Sequence, residues 1–206
     1  MKTFSSIVIA AVLFLAGCDT SFNPVSSNNN SELQKANSTS IGPVDSVMNY
    51  ELIPLPVRSP IYLDSVFTIT STIIGELGGR LLLDRSYVSE NGQLVTMLID
   101  MVIPPNSFQG QRRITLTVDK DFAAVRCLPA MEFKFPLILL QTFTGLEIQD
   151  FQTEEDDFDF VYIKKNGKIE QVERTSIIVN KSLGILSVIG AKLDHFSRYG
   201  WVRKSE

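Results

Sequence analysis

From Tyr50 to the end of the chain, short runs rich in Val, Ile, Thr, Phe and Leu alternate with turn residues, and this feature constrains the fold most strongly. No helical periodicity of useful length interrupts these runs. Such runs, bounded by Gly, Pro, Asn and Asp, are typical of a β-sandwich or barrel. The sequence therefore predicts an all-β fold, an antiparallel β-sandwich over residues 50–206. Its 157 residues are enough for one sizeable core.

The predicted strands combine β-branched or aromatic residues with flanking turn residues. In chain order they are Leu63 to Ile74, Arg80 to Leu83, Leu94 to Ile103, Ile114 to Val118, Phe133 to Leu140, Phe158 to Ile163, Ile169 to Val172, Thr175 to Val179, Ile185 to Ile189 and Phe196 to Val202. Asn166-Gly167 predicts a hairpin with a two-residue type I′ turn, because both residues accept positive φ angles. Asn91-Gly92 predicts a second hairpin before Leu94.

The first 17 residues have the pattern of a signal peptide. Lys2 precedes an apolar run, Ile7 to Ala16, which is too short to span a bilayer. The run ends in Leu15, Ala16, Gly17 and Cys18, a sequence that resembles the bacterial lipobox. The resemblance implies cleavage before Cys18 and a diacylglyceryl thioether on its sulfur. An ordinary secretory signal with a chance cysteine is the alternative.

Acyl chains on Cys18 would hold the mature protein to a membrane without a transmembrane helix. The expected location is therefore the bacterial cell envelope. Asp19 resembles the inner-membrane retention signal of enterobacteria, a rule that does not hold across bacteria. We favour the outer membrane and leave the inner membrane open. Residues 18–49 are rich in Ser and Asn and poor in aromatic residues, so they are expected to form a disordered, flexible tether.

Composition removes several classes of function. The chain has 19 Lys and Arg against 23 Asp and Glu, a net charge of -4, which offers no electrostatic basis for binding nucleic acid. Two cysteines and one histidine are too few for most zinc sites. No cofactor is expected beyond the covalent lipid on Cys18. Cys127 then has no disulfide partner and is expected to be a buried core residue.

Five short segments together resemble the ZU-five domain, the β-sandwich module of ankyrins, netrin receptors and zonula occludens. In chain order they are Gly78 to Leu81, Ile103 to Phe108, Ile114 to Val118, Leu128-Pro129 with Phe133 and Phe135 to Leu137, and His195 to Tyr199. The resemblance would cover Asp64 to Val202. Read without the family, the Gly-Gly pair allows a bend or close backbone approach, and Pro104-Pro105 ends a strand.

The resemblance implies an interaction or structural module rather than an enzyme. The chain lacks the death domain and the second β module of the family's receptors, so no specific partner carries over. The expected partner is another protein of the envelope. A carbohydrate-binding or hydrolytic module is a further alternative, which rests on analogy with other secreted sandwiches alone.

Self-processing is a second hypothesis, because some members of the family cut themselves between Phe and Ser of a His-Phe-Ser triplet. Here the candidates are His195, Phe196 and Ser197. Ser197 Oγ would attack the carbonyl of Phe196, and His195 would assist proton transfer before water resolves the ester. On one strand His195 and Ser197 would share a face. We favour the alternative, in which the triplet lies in a strand that packs against a sheet face and is not cut.

An acidic segment offers candidate calcium ligands, since carboxylate oxygens are the ligands calcium prefers. The candidates are Glu154, Glu155, Asp156, Asp157 and Asp159. The segment lacks the glycine and the distant glutamate of a helix-loop-helix calcium loop. A solvated loop between strands is therefore the favoured interpretation.

Overall fold

The structure is a computed structural model that describes residues 50–62 and 67–205. The predicted signal peptide, Cys18 and the tether lie outside the described residues. Within the described ranges there are twelve strands and two short 3-10 turns, at Pro60–Tyr62 and Glu155–Asp157, and no α-helix. None of the described residues forms a helix long and apolar enough to cross a membrane.

Every strand pairs antiparallel with its neighbours. The strands are β1 (Tyr50–Leu52), β2 (Thr68–Ile74), β3 (Gly79–Val88), β4 (Leu94–Ile103), β5 (Gln111–Val118), β6 (Ala124–Leu128), β7 (Glu132–Thr144), β8 (Phe158–Ile163), β9 (Ile169–Gln171), β10 (Ser176–Asn180), β11 (Ile185–His195) and β12 (Arg198–Lys204).

The strands form two sheets. One sheet has seven strands in the order β2-β5-β6-β12-β8-β9, with β1 also paired to β12. The other has five strands in the order β10-β11-β7-β4-β3. The two sheets pack as a sandwich, so the predicted all-β antiparallel β-sandwich is confirmed.

The main core lies between the sheets and follows from alternation along the strands. In β4 the side chains of Val95, Met97, Ile99 and Met101 are fully buried, whereas the residues between them face outward. Period-two alternation of this kind places one face of a strand in the core. A second, smaller cluster centres on four other buried residues. They are Ala124, Val161, Ile163 and Val202.

Several strand predictions were wrong. Tyr50–Leu52 and Ala124–Leu128 form strands that were not among those predicted, and the strands predicted to end at Leu83 and Leu140 extend to Val88 and Thr144. The last predicted strand, from Phe196 to Val202, begins at Arg198 instead. The reason is that the chain passes from the five-stranded to the seven-stranded sheet between His195 and Arg198, so neither Phe196 nor Ser197 belongs to a strand.

The hairpin at Asn166-Gly167 is confirmed, but its turn type is not. The Lys164 N–H donates to the Lys168 carbonyl at 2.8 Å, which encloses a three-residue loop, and Gly167 alone takes a positive φ of 81°. A type I′ turn needs positive φ at two central residues. Only the glycine adopts this conformation because it has no Cβ to clash with the backbone. The β3–β4 hairpin repeats the pattern with Gly92 at φ 77°.

Candidate functional site

The His195-Phe196-Ser197 triplet lies where the chain crosses between the two sheets. The Phe196 N–H donates to the carbonyl of Met131, and the Cys127 N–H donates to the carbonyl of Ser197, both at 2.8 Å. These bonds satisfy the backbone at a point where it leaves one ladder and enters another. The crossover is thus held by backbone contacts to β6 and to the segment just before β7.

The His195 side chain is bound by two tyrosines. The Tyr199 hydroxyl donates to the His195 carbonyl oxygen at 2.7 Å and lies 3.1 Å from His195 Nδ1. The Tyr162 ring meets the imidazole edge-on, with centroids 4.4 Å apart. Because the hydroxyl proton is donated to the carbonyl, the hydroxyl oxygen can accept a bond from Nδ1 when that nitrogen carries the ring proton.

Ser197 and Phe196 are not arranged around His195 as one strand would place them. Among the hydrogen bonds of the described residues, none joins His195 to the Ser197 hydroxyl. Phe196 is buried and packs edge-on against Phe133, with ring centroids 4.7 Å apart. Neither Phe196 nor Ser197 adopts a positive φ. The expectation that His195 and Ser197 share one strand face was therefore wrong, and self-cleavage stays a prediction.

Four of the five segments that resemble ZU-five contact one another in turn. A Cβ on Gly78 would lie 2.3 Å from the carbonyl oxygen of Ile103, so the Gly-Gly segment contacts the Pro-Pro turn directly. The Phe108 ring lies 6.3 Å from the Phe133 ring, which in turn touches Phe196. The close backbone approach predicted for the glycine pair is confirmed. These contacts describe packing and bring no nucleophile and base together.

Cys127 is a free thiol in the interior of the seven-stranded sheet. Its side chain is fully buried, and burial raises the pKa of the thiol to about 12. Because the thiolate is the reactive form, a thiol in this environment is chemically inert. The prediction of a buried core cysteine is confirmed.

The acidic segment from Glu154 to Asp159 is divided among several partners. Asp159 pairs with Arg174 at 2.6 Å, and Asp157 pairs with Lys204 at 2.5 Å. Glu155 accepts a bond from the backbone N–H of Lys181 at 3.1 Å. Within the described ranges, no group of three or more His, Cys, Asp or Glu side chains is placed to hold a metal ion. A calcium site in this segment stays a prediction.

A surface groove of about 680 Å³ adjoins this segment and contains a lysine. It is lined by Glu154, Glu155, Asp156, Gln149, Lys181 and Ser182. The Lys181 ammonium donates to the carbonyls of Phe151 and Thr153 at 2.6 and 2.8 Å. The Lys181 ammonium therefore places a positive charge in the groove that the carboxylates line, and a second cation there would meet its repulsion.

The outward face of the five-stranded sheet carries an apolar patch that sequence analysis missed. The patch consists of Leu82, Leu98, Val102 and Ile138, which are 36–46% exposed. The strand register places Val102 opposite Ile138 on β7, and Leu82 opposite Asp100, whose neighbours along β4 are Leu98 and Val102. A nearly continuous apolar run in Leu94–Ile103, where alternation would put polar residues outward, was the available signal.

Comparisons of the chain with models of known protein families, with curated proteins and with solved structures gave no match. The chain is thus placed by its fold, as an antiparallel β-sandwich of one seven-stranded and one five-stranded sheet.

Proposed function

We propose that this chain is a lipid-anchored protein of a bacterial cell envelope, and that its β-sandwich is a non-catalytic module that binds another envelope protein. The observation that carries the proposal is Leu15-Ala16-Gly17-Cys18 at the end of the apolar run. Acyl chains on Cys18 anchor the protein, and the outer membrane is the favoured location. A compact sandwich after a Ser/Asn-rich segment supports this arrangement, because it gives an anchor, a spacer and a binding body in order.

The apolar patch supports a binding role. Its four side chains are each at least 36% exposed and adjoin one another on one sheet face. Arg80 and Asp100 form a bidentate ion pair within the patch, with both N–O distances 2.6 Å, and Asp100 lies between Leu98 and Val102 on β4. Exposed apolar side chains clustered on one face are typical of an interaction surface.

Kinship with the ZU-five family belongs to the same proposal. It is supported by the antiparallel sandwich fold and by the contacts of Gly78 with Ile103 and of Phe133 with Phe196. Interaction, rather than catalysis, is the role that the resemblance implies. The packing of Phe196 and the binding of His195 by Tyr199 support a structural role for the His-Phe-Ser triplet.

The anchoring proposal is tested by the intact mass of the protein extracted from membranes of cells that express the full chain. We expect one species that begins at acylated Cys18 and ends at Glu206. Cys18→Ser should abolish the acyl mass, whereas Cys127→Ala should keep it. An unmodified chain cut elsewhere near the signal peptide would refute the anchor. A species ending at Phe196 would establish self-processing and refute the non-catalytic module.

The same preparation tests the binding role after chemical crosslinking in whole cells. Val102→Glu places a charge in the patch and should reduce the crosslinked partner about tenfold or more, since a desolvated charge at an interface centre costs over 1 kcal/mol. Ile178→Glu is the matched control, because Ile178 is 50% exposed on β10 at the opposite edge of the same sheet. Equal crosslinking by both variants would show that the patch is not the binding surface.

A further inference from the structure

Strand β3 is the longest edge strand among those that the structure describes. It spans ten residues, against seven for β2, five for β10 and three for β9. Its one strand partner in the described sheet is β4, which pairs with it over its whole length. A long edge strand presents a row of backbone donors and acceptors that another strand can bind.

The direction of these backbone groups follows from one hydrogen bond. The Ser59 N–H donates to the Val88 carbonyl at 3.0 Å, so that carbonyl points away from β4. Alternate residues of an antiparallel strand point their N–H and C=O groups to the same side. The residues of β3 that share the orientation of Val88 are Arg80, Leu82, Asp84 and Ser86. These backbone groups face the outer edge of the sheet, where, among the described residues, the Asp84 carbonyl accepts one bond, from Arg85 Nη1 at 2.6 Å, and keeps its second lone pair for another donor.

The side chains of β3 are self-complementary about Leu82. If a second copy pairs antiparallel with a two-fold axis at Leu82, residues whose numbers add to 164 face each other. Leu82 then meets Leu82 of the second copy, and Arg80 meets Asp84 of the second copy on both sides of the axis. Arg80 and Asp84 are both exposed. Arg80 contacts Asp100 through Nε and one terminal nitrogen, which leaves the other free to bind Asp84 of the second copy.

The inward positions of β3 also fit this register. Leu81 and Leu83, which are buried in each core, lie opposite one another across the axis. Arg85 is the exposed charge at an inward position of β3. It lies opposite Gly79 of the second copy, a residue with no side chain to oppose it. The register therefore brings no like charges together.

We propose that β3 pairs antiparallel with β3 of a second copy of this chain, about a two-fold axis at Leu82. The two five-stranded sheets then join into one of ten strands, and the two apolar patches become continuous through Leu82. An unrelated strand could bind the same edge, but only a second copy makes the order Arg80, Leu82, Asp84 complementary to itself. This inference is independent of the lipid anchor and goes beyond binding of another envelope protein.

The first test is disulfide crosslinking of the full chain, carrying Cys18→Ser and purified in mild detergent. In a hydrogen-bonded antiparallel pair the Cα atoms are about 5.5 Å apart, within reach of a disulfide. Leu82→Cys should therefore give a covalent dimer under mild oxidation. Ile178→Cys, equally exposed on the far edge strand, should give little, and buried Cys127 should not contribute. No more dimer from Leu82→Cys than from Ile178→Cys would overturn the proposal.

The second test measures the dimer dissociation constant of the same protein by sedimentation. Asp84→Arg places an arginine opposite Arg80 of the second copy on both sides of the two-fold axis. The repulsion should raise the dimer dissociation constant about tenfold or more. Asp150→Arg makes the same charge change at an exposed site remote in sequence from β3 and should leave the constant unchanged. Equal constants for Asp84→Arg and the unsubstituted chain would contradict the proposed register, as would purely monomeric unsubstituted protein. Because the protein carries no lipid, these results are separate from those on the anchor.

Discussion

At the scale of single residues, Gln141 is the polar group least compatible with its environment. It is fully buried on β7, opposite Ile99 on β4 and Val188 on β11. Neither its Nε2 nor its Oε1 has a hydrogen-bond partner. The predicted strand ended at Leu140, just before this glutamine, a residue type seldom found in a core. The strand continues because the residues after Gln141 still pair, with β11 as far as Phe143 and with β4 as far as Thr144.

We expect Gln141→Leu to stabilise the protein by about 1 to 3 kcal/mol, because it removes a buried amide that lacks partners and keeps a similar volume. The free energy of unfolding in urea measures the effect. Gln171→Leu, at an exposed position of β9, should change it by less than about 0.5 kcal/mol. A Gln141→Leu protein less stable than the parent would show that the amide is satisfied in the folded state.

At the scale of elements, two glycines with positive φ lie close to strand ends, but their surroundings differ. Gly78 has φ 72° and faces the Ile103 carbonyl, which a Cβ would approach to 2.3 Å. Gly167 has φ 81° and has nothing within 4 Å of a built Cβ. Glycine is therefore required at position 78 both by the positive φ and by the lack of room for a Cβ, and at position 167 by the positive φ alone.

Alanine at the two glycines should therefore have unequal effects. Gly167→Ala should cost about 1 to 2 kcal/mol, the penalty of a left-handed conformation. Gly78→Ala adds the clash with backbone, about 1 to 3 kcal/mol more, since overpacking displaces neighbours. Urea unfolding of both variants checks the order. Equal losses would show that the backbone around Ile103 yields to the new methyl group.

The strand from Leu94 to Ile103 and the positions of the two Asn-Gly hairpins were predicted correctly because they depend on residues close together in the sequence. The crossover from β11 to β12 was not, because its position depends on where two facing sheets end. The β6 strand was missed for a related reason. Its pairing with β5 and β12 reaches residues as far apart as Ala124 and Gly200, and no local pattern reports such a contact.

At the scale of the whole molecule, both sheets bury tyrosine or cysteine side chains that keep their protons to a higher pH than in the unfolded chain. Tyr87 of β3 and Cys127 of β6 each have a pKa raised to about 12, chiefly by burial. Burial also raises the pKa of Tyr199 of β12. In the unfolded chain these groups titrate at about 10 for tyrosine and 8.5 for cysteine. Above those values the unfolded state binds fewer protons than the folded state.

The free energy of unfolding should therefore be unaffected by these groups below about pH 8.5 and should fall as the pH rises towards 12. Denaturant unfolding at a series of pH values measures the slope. Tyr87→Phe removes one titrating group and the hydroxyl's 2.7 Å bond to the Pro56 carbonyl. It should lower stability at pH 7 but make the alkaline decline shallower. Stability that stays constant from pH 9 to 11 would contradict this account.

The fold class follows from the sequence alone, because short runs of β-forming residues and the turn residues between them are local properties of the chain. It also predicted that Cys127 would be buried. The proposal of a lipid anchor on Cys18 rests on the sequence alone.

Which residues meet depends on the tertiary structure. His195 contacts Tyr199 rather than Ser197, Gln141 lies in the core, and the apolar patch combines residues of three strands. These outcomes depend on how β11 and β12 enter different sheets and on the register of β3, β4 and β7. Because such contacts join residues far apart in the chain, their geometry is set by the packing of two whole sheets.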